Sequence, residues 1–435
     1  MPKLVINTNN SFINSCGGLD LILGHLSKTG VFKTIDNTLG ARSARSEYTK
    51  GELLQTWIIN VLSGSKRLEH IHKQRQAFIN HPKLAKGATP DTLSRVFKTF
   101  SVPNEYYSLS YARNRGVLVS NPDEEDKKSF HEVNYNPKLN EIILDTAIQL
   151  GLFKPQVGYE LDIDATGITT NVSDSRITYN GEIGYMPMIV LLGGIPIFCE
   201  ARNGNSPPAF RLLESLKNAV DLIESRGIKI SLVRSDAAAS TTMIVDYLTG
   251  KKLNYVIRAH KWLKKKPSKD IVWSQLKDSS INAADEYKVI GDATVRIIHY
   301  QKLFKSRFKS KLNGTTATWS LLTNIKDISR ENLISLYNKR GGQEQKFSML
   351  NELGFNYMPH REFKHNATYM LITILTAVIF TYLKRRLSKD IKFVYETMEL
   401  RTFIEKFMSV ITMWQDRRLV FLNRQKEYAP LKGFV

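Results

Sequence analysis

The sequence predicts an α/β protein in which helices flank a mixed β-sheet, with a β-rich insertion and mainly α-helical N- and C-terminal regions. Residues 1–120 place apolar side chains at helical spacing, and residues 155–259 change to alternating segments separated by helical ones. Residues 260–323 alternate again, and residues from 366 onward return to a helical period. A chain of 435 residues with 42% apolar content is long enough for about two to four domains.

Residues 1–135 are predicted to form an N-terminal helical domain. Within it, residues 88–98 are predicted to contain a short helix, with Thr89 as its N-cap and Pro90 in its first turn. This short helix has a small polar N-terminal face, and it exposes Arg95 and Lys98. Such a helix fits the recognition helix of a helix-turn-helix, and it also fits an ordinary short surface helix.

Residues 136–259 are predicted to hold the first part of a sheet-based core. Residues 159–164 alternate strictly between an apolar face and a face that carries Glu160, Asp162 and Asp164. The elements that follow are a hairpin that turns at Gly193-Gly194, a helix from Ser206 to Arg226, a strand over 228–233, a helix over 241–248 and a strand over 253–259. This order implies a mixed sheet with helices packed on it.

The last three segments are a β-rich basic insertion, the second part of the core and a C-terminal helical region, over residues 260–325, 326–385 and 386–435. The second part of the core begins with a helix that Ser329 caps and that runs towards Leu353. The apolar run from Tyr369 to Leu383 has 15 residues, whereas a membrane span needs about 20. We therefore expect a buried helix and no membrane association.

The chain has 62 basic and 41 acidic residues, which gives a formal charge of +21. Over half of that excess lies in residues 251–320, which hold 16 basic and 5 acidic side chains, whereas residues 136–250 are net acidic. A charge that only maintains solubility need not concentrate in this way, so we predict contact with a nucleic acid. Two cysteines, Cys16 and Cys199, exclude a disulfide scaffold and a cysteine-based zinc site. Together with an N-terminus that lacks an apolar signal core, they favour the cytoplasm.

Three acidic residues fall where a metal site requires them. Asp164 ends the first core strand and Asp236 ends the fourth, so both carboxylates emerge at one sheet edge if these strands are parallel neighbours. Tyr337, Arg340 and Glu344 follow one another at steps of three and four residues, so they share one helical face. Three hard oxygen ligands suit Mg²⁺, and two such ions about 4 Å apart stabilise the attacking and leaving oxygens of a phosphoryl transfer.

Each of these residues has an ordinary structural alternative. Aspartate at a strand end is often a turn residue, and Asp162 on the same face competes with Asp164 as the first ligand. Arg340 can pair with Glu344 on the helix instead of binding a phosphate. The Gly341-Gly342 pair weakens the helix by roughly 1 kcal/mol per glycine, but glycine also permits close approach of a sheet or a DNA backbone.

The combination resembles the DDE transposases of bacterial insertion sequences, in the insertion-sequence-four superfamily. The resemblance rests on three motifs, Asp162-Ile-Asp-Ala-Thr-Gly167, Arg234-Ser-Asp-Ala-Ala238 and Tyr337-Asn-Lys-Arg-Gly-Gly-Gln-Glu344. The segments Tyr179-Asn-Gly181 and Gly184-Tyr-Met-Pro-Met188 also fit, and the match spans residues 155–385. The resemblance implies an RNase H-like catalytic core that the β-rich insertion interrupts.

The resemblance also implies roles for individual residues. It implies that the catalytic residues are Asp164, Asp236 and Glu344. These residues would bind two Mg²⁺ ions per active site, and Mn²⁺ could substitute for Mg²⁺. Tyr337 and Arg340 become contacts to DNA at the transposon end, for which an arginine fork is well suited. The family's motif continues to a lysine seven residues beyond the glutamate, where this chain has Asn351, and Lys346 is the nearest substitute.

Two further regions are candidates for DNA contact. Arg202 and Asn205, in the turn after the third core strand, fit a DNA contact or a structural turn equally. In the insertion, Trp262 lies near Lys264, Lys265 and Lys266, and the resemblance implies an aromatic residue there that stacks on a base flipped from the transposon end. A tryptophan in a small β core is the alternative, and it applies to Trp273 and Trp319 as well.

The predicted function is a DNA transposase that binds transposon ends, cleaves them and joins them to target DNA in a cut-and-paste reaction. The alternatives are a non-catalytic DNA-binding protein descended from a transposase and a metal-dependent nuclease without strand transfer. Residues 1–135 then bind double-stranded DNA at the terminal inverted repeats. A homodimer on paired ends is expected because each chain carries a single acidic triad, and the protein is expected at the nucleoid in the bacterial cytoplasm.

Overall fold

The computed structural model describes residues 13–72, 75, 87–108, 117–120, 122–123, 126–260, 271–303, 316–415 and 418–431. The chain forms two compact units. Unit 1 comprises Met1–Val102, Asn136–Leu152 and Ser348–Val435, and unit 2 comprises Pro103–Tyr135 and Phe153–Phe347. The five-segment division of the sequence analysis stays a prediction.

The helices and strands are numbered in chain order. The strands are β1 (Ile13–Asn14), β2 (Glu105–Tyr107), β3 (Leu118–Val119), β4 (His131–Asn134), β5 (Gly158–Ala165), β6 (Ile168–Thr169), β7 (Arg176–Ile177), β8 (Ile183–Tyr185), β9 (Met188–Leu192), β10 (Ile195–Arg202), β11 (Lys229–Ser235), β12 (Tyr255–Arg258), β13 (Ser274–Gln275), β14 (Ile281–Ile290), β15 (Ala293–Leu303), β16 (Thr316–Thr323), β17 (Thr412–Gln415) and β18 (Arg418–Phe421). The α-helices are α1 (Gly18–Thr29), α2 (Val31–Leu39), α3 (Lys50–Leu62), α4 (Pro90–Lys98), α5 (Pro137–Gln149), α6 (Leu212–Ser225), α7 (Thr242–Gly250), α8 (Arg330–Asn338), α9 (Gln343–Glu352), α10 (Phe363–Leu387), α11 (Leu400–Phe403) and α12 (Gln425–Tyr428).

The large sheet of unit 2 is mixed, as predicted. Its twelve strands lie in the order β13-β14-β15-β16-β12-β11-β5-β9-β10-β4-β2-β3. Strand β11 pairs in parallel with β5 and with β12, and the pairings outward from these two strands are antiparallel. The apolar face of the central strands is closed to solvent, since Leu161 and Ile163 are fully buried and Val233 is 1% exposed. Helices α6, α7 and α8 pack against the sheet, which completes the predicted mixed sheet flanked by helices.

The strands predicted within residues 260–325 are present and continue the large sheet. Strands β14, β15 and β16 pair antiparallel in sequence, and β16 joins the centre of the sheet through β12. At the opposite end, β4, β2 and β3 extend the sheet beyond β10. The helical prediction for the first 120 residues is therefore wrong over the strands β2 and β3, where the adjacent aromatic residues Tyr106 and Tyr107 favour an extended backbone.

The elements around the β9–β10 hairpin follow the sequence prediction with one exception. Gly193 and Gly194 both have positive φ, +53° and +76°, as a tight hairpin turn between twisted strands requires. Helix α6 begins at Leu212, six residues after the predicted start at Ser206. Pro207-Pro208 disfavours a helical conformation in the preceding residue, and Arg211 adopts a left-handed conformation (φ +51°) immediately before the helix.

Helix α10 is the central element of unit 1. It is long and apolar enough to cross a membrane by length and composition, but 89% of its most apolar window is buried inside the protein. Helices α3, α4 and α5 pack on it, and the Tyr369 ring lies edge-on to Trp57 and Phe97 with centroids 5.8 Å and 5.7 Å away. These contacts support the prediction of a core helix. The C-terminal region is less helical than predicted, because β17 and β18 form a three-stranded sheet with β1.

Candidate active site

The two aspartates of the predicted triad leave the central sheet side by side. Strands β5 and β11 are parallel neighbours, which is the condition that the shared edge required, and Ser235 lies opposite Ile163 in their register. Asp164 follows Ile163 near the end of β5, and Asp236 directly follows β11. Both carboxylates therefore lie at the carboxyl edge of the parallel strands, where open α/β sheets bind ligands.

The Asp164 carboxylate is close to one like charge, Asp236, and one opposite charge, Arg340. Its side chain is 22% exposed, and its Oδ2 lies 2.6 Å from Arg340 Nη2. Burial raises the pKa of Asp164 to about 6, the Arg340 charge opposes that shift, and the neighbouring Asp236 charge adds to it. A pair of carboxylates that repel each other at an open sheet edge is a favourable place for a cation.

Asp236 is oriented by the backbone that follows it. Its Oδ1 accepts a 3.0 Å hydrogen bond from the amide of Ala238, and this bond caps the short 3-10 helix Ala237–Ala239. The side chain is partly buried. The bond fixes the carboxylate direction before any ligand arrives, which reduces the entropy lost on ligand binding.

Asp162, the competing first ligand, is part of a buried ion pair. It is 3% exposed, and Arg234 donates to both of its oxygens, from Nε at 2.7 Å and from Nη2 at 2.8 Å. A carboxylate that already accepts both N–H groups of an arginine fork has little capacity left for a metal ion. The geometry therefore favours Asp164 as the first ligand.

The segment that carries Glu344 is not the continuous helix that the sequence predicted. Helix α8 ends at Asn338, a 3-10 turn covers Lys339–Gly342, and α9 begins at Gln343. The weak helix propensity of two consecutive glycines accounts for the interruption. Glu344 lies in the first turn of α9, and its side chain is outside the described part of the structure. Arg340, for which pairing with Glu344 was the alternative, pairs with Asp164.

Tyr337 lies between the insertion strands and the two aspartates. It is partly buried and packs on a cluster that includes Leu333 and Tyr300. Burial raises the pKa of Tyr337, and the charges of Arg340, Arg258, Asp236 and Asp164 all act on it. These interactions place the phenol beside the acidic edge.

Arg258 is a cation that the sequence analysis did not single out. It ends β12, and in the register of β11 with β12 it follows Ile257, the partner of Ser235. Its charge also acts on Tyr337 and Tyr300. The available signal was its position at the end of the strand, the same signal that identified Asp236.

Lys346 lies beside the β9–β10 hairpin. Its Cε is 3.7 Å from the point where a Cβ on Gly194 would lie, and the side chain is partly buried. Trp319 stacks on Tyr300 with centroids 5.4 Å apart, which favours the β-core role for that tryptophan. The predicted contacts Trp262, Lys264, Lys265 and Lys266 lie outside the described residues.

The prediction that Arg202 contacts DNA is wrong. The guanidinium has no exposed surface, and it donates to Glu200 at 2.8 Å and to Ser215 at 2.7 Å. Asn205 is partly buried and donates to the carbonyl of Phe130 at 2.9 Å. Arg202 therefore connects β10 with α6 inside the core, and Asn205 holds the turn after β10, which was its structural alternative.

Arg95 and Lys98 are exposed on α4, as predicted. Leu93, Val96 and Phe97 are buried on the opposite face of the same helix, and this packing directs the basic residues outward. A cavity of about 470 Å³ beside Arg95 is also lined by Arg42, Lys50 and four serine and threonine hydroxyls. Among the described residues that line it, none is acidic. The cavity suits an anion such as a phosphate group.

The described part of the chain contains no group of three or more histidine, cysteine, aspartate or glutamate side chains that could hold a metal ion. Of the three predicted ligands, the side chains that the structure describes are those of Asp164 and Asp236. The hard oxygen donors of this pair suit Mg²⁺ or Mn²⁺. The residues present therefore fit a divalent metal ion.

The mixed sheet presents two aspartates, which are hard oxygen donors, at the carboxyl edge of its central parallel strands, where open α/β sheets bind ligands. The family model described as Transposase DDE domain group 1 matches residues 1–429, and the chain belongs to this family. A search of the curated proteins finds no match. Family membership confirms the prediction of a transposase in its general form, an enzyme class that acts on DNA with divalent metal ions.

Proposed function

We propose that the chain is the transposase of a bacterial insertion sequence, of the insertion-sequence-four superfamily, that works at the nucleoid. It binds the terminal inverted repeats of its element, cleaves them and joins them to target DNA by a cut-and-paste reaction. The observation that carries this proposal is the placement of Asp164 and Asp236 at one sheet edge on the parallel strands β5 and β11. The central sheet then corresponds to an RNase H-like core, and residues 260–325 to its insertion.

In this proposal Asp164, Asp236 and Glu344 hold two Mg²⁺ ions, with Mn²⁺ as a substitute. Bound metal ions stabilise the attacking and leaving oxygens of an in-line displacement at phosphorus. The preset direction of the Asp236 carboxylate and the partial burial of Asp164 support a site that is organised before metal binding.

The cations around the acidic edge have a separate task, which is to hold DNA. The Arg340 side chain is 16% exposed and forms an ion pair with Asp164 through Nη2, so its planar fork keeps donors for a phosphate. Tyr337 and Lys346 are the proposed neighbours of that contact. In unit 1, the cavity between Arg42, Lys50 and Arg95 is a second proposed phosphate site, with Lys98 beside it on the exposed face of α4.

The experiment uses oligonucleotide duplexes that carry the inverted repeats flanking the gene. Asp164→Asn, Asp236→Asn and Glu344→Gln are each expected to abolish end cleavage while DNA affinity stays within about threefold. Asp221→Asn is the matched control, because Asp221 is a surface carboxylate on α6 that pairs with Lys251. An exposed ion pair of this kind contributes little to stability.

The outcomes separate the alternatives. Cleavage without joining to a target duplex identifies a nuclease, and binding by the wild-type chain without cleavage identifies a DNA-binding protein that is not an enzyme. Normal cleavage by Asp164→Asn with loss of cleavage by Asp162→Asn reassigns the first ligand.

A further inference from the structure

Arg234 is a buried arginine on β11 whose guanidinium contacts two other segments of unit 2, the strand β5 and the end of α8. It lies on β11, two residues before Asp236, and is 4% exposed. Its Nε and Nη2 donate to the two oxygens of Asp162 on β5, at 2.7 Å and 2.8 Å. Nη2 also lies 2.9 Å from Glu160 Oε2, and Nη1 donates to the carbonyl of Leu336 at 3.0 Å.

Each of these contacts bears on a different part of the candidate active site. Asp162 is two residues from Asp164 on the same face of β5, so the Arg234–Asp162 pair fixes the strand that carries the first aspartate relative to the strand that carries the second. Leu336 lies in the last turn of α8, where backbone carbonyls lose their helical partners and attract cations. This contact fixes the end of α8 immediately before Tyr337 and Arg340.

The arrangement depends on the shape of arginine. Only a guanidinium presents parallel N–H groups to a carboxylate and a further N–H group to a carbonyl in the same plane. Buried ion pairs often give little net stability compared with apolar residues of similar volume. The contacts therefore have more value as a constraint on geometry than as a source of stability.

We propose that Arg234 is a positioning residue, which sets the position of the α8 end, and with it Tyr337 and Arg340, relative to the two aspartate-bearing strands. This proposal rests on the proposed function of the same site. Arg234 acts through Asp162 and Leu336, and it contacts neither the metal ions nor the DNA. A shift of about 1 Å in such a support is enough to reduce catalysis about a hundredfold.

The test compares Arg234→Lys with Arg202→Lys in the full-length chain. Arg202 is a matched control because it is also a buried strand arginine, paired with Glu200 and Ser215, without a described contact to α8. The readouts are the melting temperature, the affinity of the metal-free protein for end duplex, Mn²⁺ binding to the DNA-free protein by electron paramagnetic resonance, and single-turnover cleavage at saturating metal. Hydrogen exchange of the amides at 337–342 reports the α8 end directly.

For Arg234→Lys we expect DNA affinity within about threefold of wild type, faster exchange at 337–342, and Mn²⁺ affinity and cleavage each lower by about 10- to 100-fold, the range seen for residues that support metal ligands. Arg202→Lys is expected to lower the melting temperature and leave Mn²⁺ affinity and exchange at 337–342 unchanged. The proposal is overturned if both variants lose the same fraction of cleavage, or if Arg234→Lys binds Mn²⁺ and cleaves like wild type.

Arg234→Gln provides a second variant, since it keeps an amide donor for Asp162 without the charge. If both Arg234 variants unfold under conditions in which Arg202→Lys stays folded, Arg234 is a folding residue and the positioning proposal is overturned. The two proposals fail in different ways. If Asp164→Asn is inactive and Arg234→Lys is normal, the positioning role fails alone, whereas an active Asp164→Asn variant contradicts the assigned site itself.

Discussion

Arg340 Nη2 lies 2.6 Å from Asp164 Oδ2, so a cation of the Tyr337–Glu344 motif neutralises the first aspartate of the candidate site. The same carboxyl group has its pKa raised to about 6, because burial and the Asp236 charge together outweigh the Arg340 charge. The protonation of Asp164 is therefore set first by burial and then by its two charged neighbours, and it changes near pH 6.

The first prediction concerns the pH dependence of cleavage. A protonated carboxyl group is a poor metal ligand, so the rate is expected to fall about tenfold per pH unit below pH 6, where Asp164 takes up its proton. Arg340→Gln removes the charge that lowers the pKa of Asp164, so this acidic limb moves to higher pH. Single-turnover cleavage measured across the range checks both statements.

Arg401→Gln is the control for that measurement, because Arg401 is exposed in unit 1 and pairs with Glu405. It is expected to leave the limb in place. An acidic limb that is identical in wild type and Arg340→Gln shows that Asp164 is not the titrating group.

The second prediction concerns the glycine pair that interrupts the helix. A Cβ added at Gly341 or Gly342 meets no atom within 4 Å, so alanine fits at both positions. Alanine is more favourable than glycine in an α-helix by about 1 kcal/mol per residue, so the double substitution favours one continuous helix. In a continuous helix the Arg340 side chain points in a different direction from the one it has now. Gly341→Ala/Gly342→Ala is expected to raise the melting temperature by about 2–4 °C and to lower cleavage at least tenfold.

Gly250→Ala, at the end of α7, is the matched control because its added Cβ is equally unobstructed. It is expected to leave the cleavage rate unchanged. If the double alanine variant cleaves at the wild-type rate, the interruption has no part in placing Arg340.

The individual central strands were predictable because their signals are local, whereas their parallel pairing joins residues distant in the sequence and entered only as a condition. Strict alternation over 159–164 marks β5, and aspartates directly after apolar strands mark one edge once the strands are parallel. The partner of Arg340 was not predictable, because it depends on a 3-10 turn that the helical spacing of Tyr337, Arg340 and Glu344 conceals.

The role of Arg202 shows a different limit. It was assigned to a turn, where a basic residue is expected to be exposed, but it is the last residue of β10. Glu200 lies two residues earlier and therefore on the same face of the strand, so the pairing was readable once the strand was extended by one residue. An error of one residue at a strand end changed the predicted environment from solvent to core.

The third prediction concerns salt dependence. Each phosphate that a basic residue neutralises contributes about 0.9 to the slope of log affinity against log salt. Arg42→Gln/Arg95→Gln removes two cations of the unit 1 cavity and is expected to weaken binding to end duplex and to reduce that slope by about 1 to 2. Fluorescence anisotropy over a salt series measures both quantities.

Lys264→Ala/Lys265→Ala/Lys266→Ala tests the insertion in the same assay and is expected to flatten the slope further. The control is again Arg401→Gln, since that side chain is 86% exposed and does not line the unit 1 cavity. If a set of substitutions leaves the slope of log affinity against log salt unchanged, its cations do not contact DNA phosphates and contribute only to solubility.

The last prediction concerns assembly. Moving an element requires two ends to be cut and both to be joined to one target, whereas each chain carries one Asp164–Asp236–Glu344 triad. We therefore expect the cleavage-competent complex to contain two chains and two ends, with each triad cutting the end that is bound mainly by its partner. Light scattering of the protein with and without end duplex, combined with cleavage by mixed preparations, measures this directly.

The mixing experiment combines Asp164→Asn chains with Arg42→Gln/Arg95→Gln chains, at a salt concentration where the second variant binds DNA poorly. Neither variant alone is expected to cleave under these conditions. The mixture is expected to recover cleavage, because the intact binding surface lies on the first chain and the intact triad on the second. A cleavage-competent complex of one chain and one end, without such recovery, contradicts the paired-end assembly and favours a nuclease that acts on each end separately.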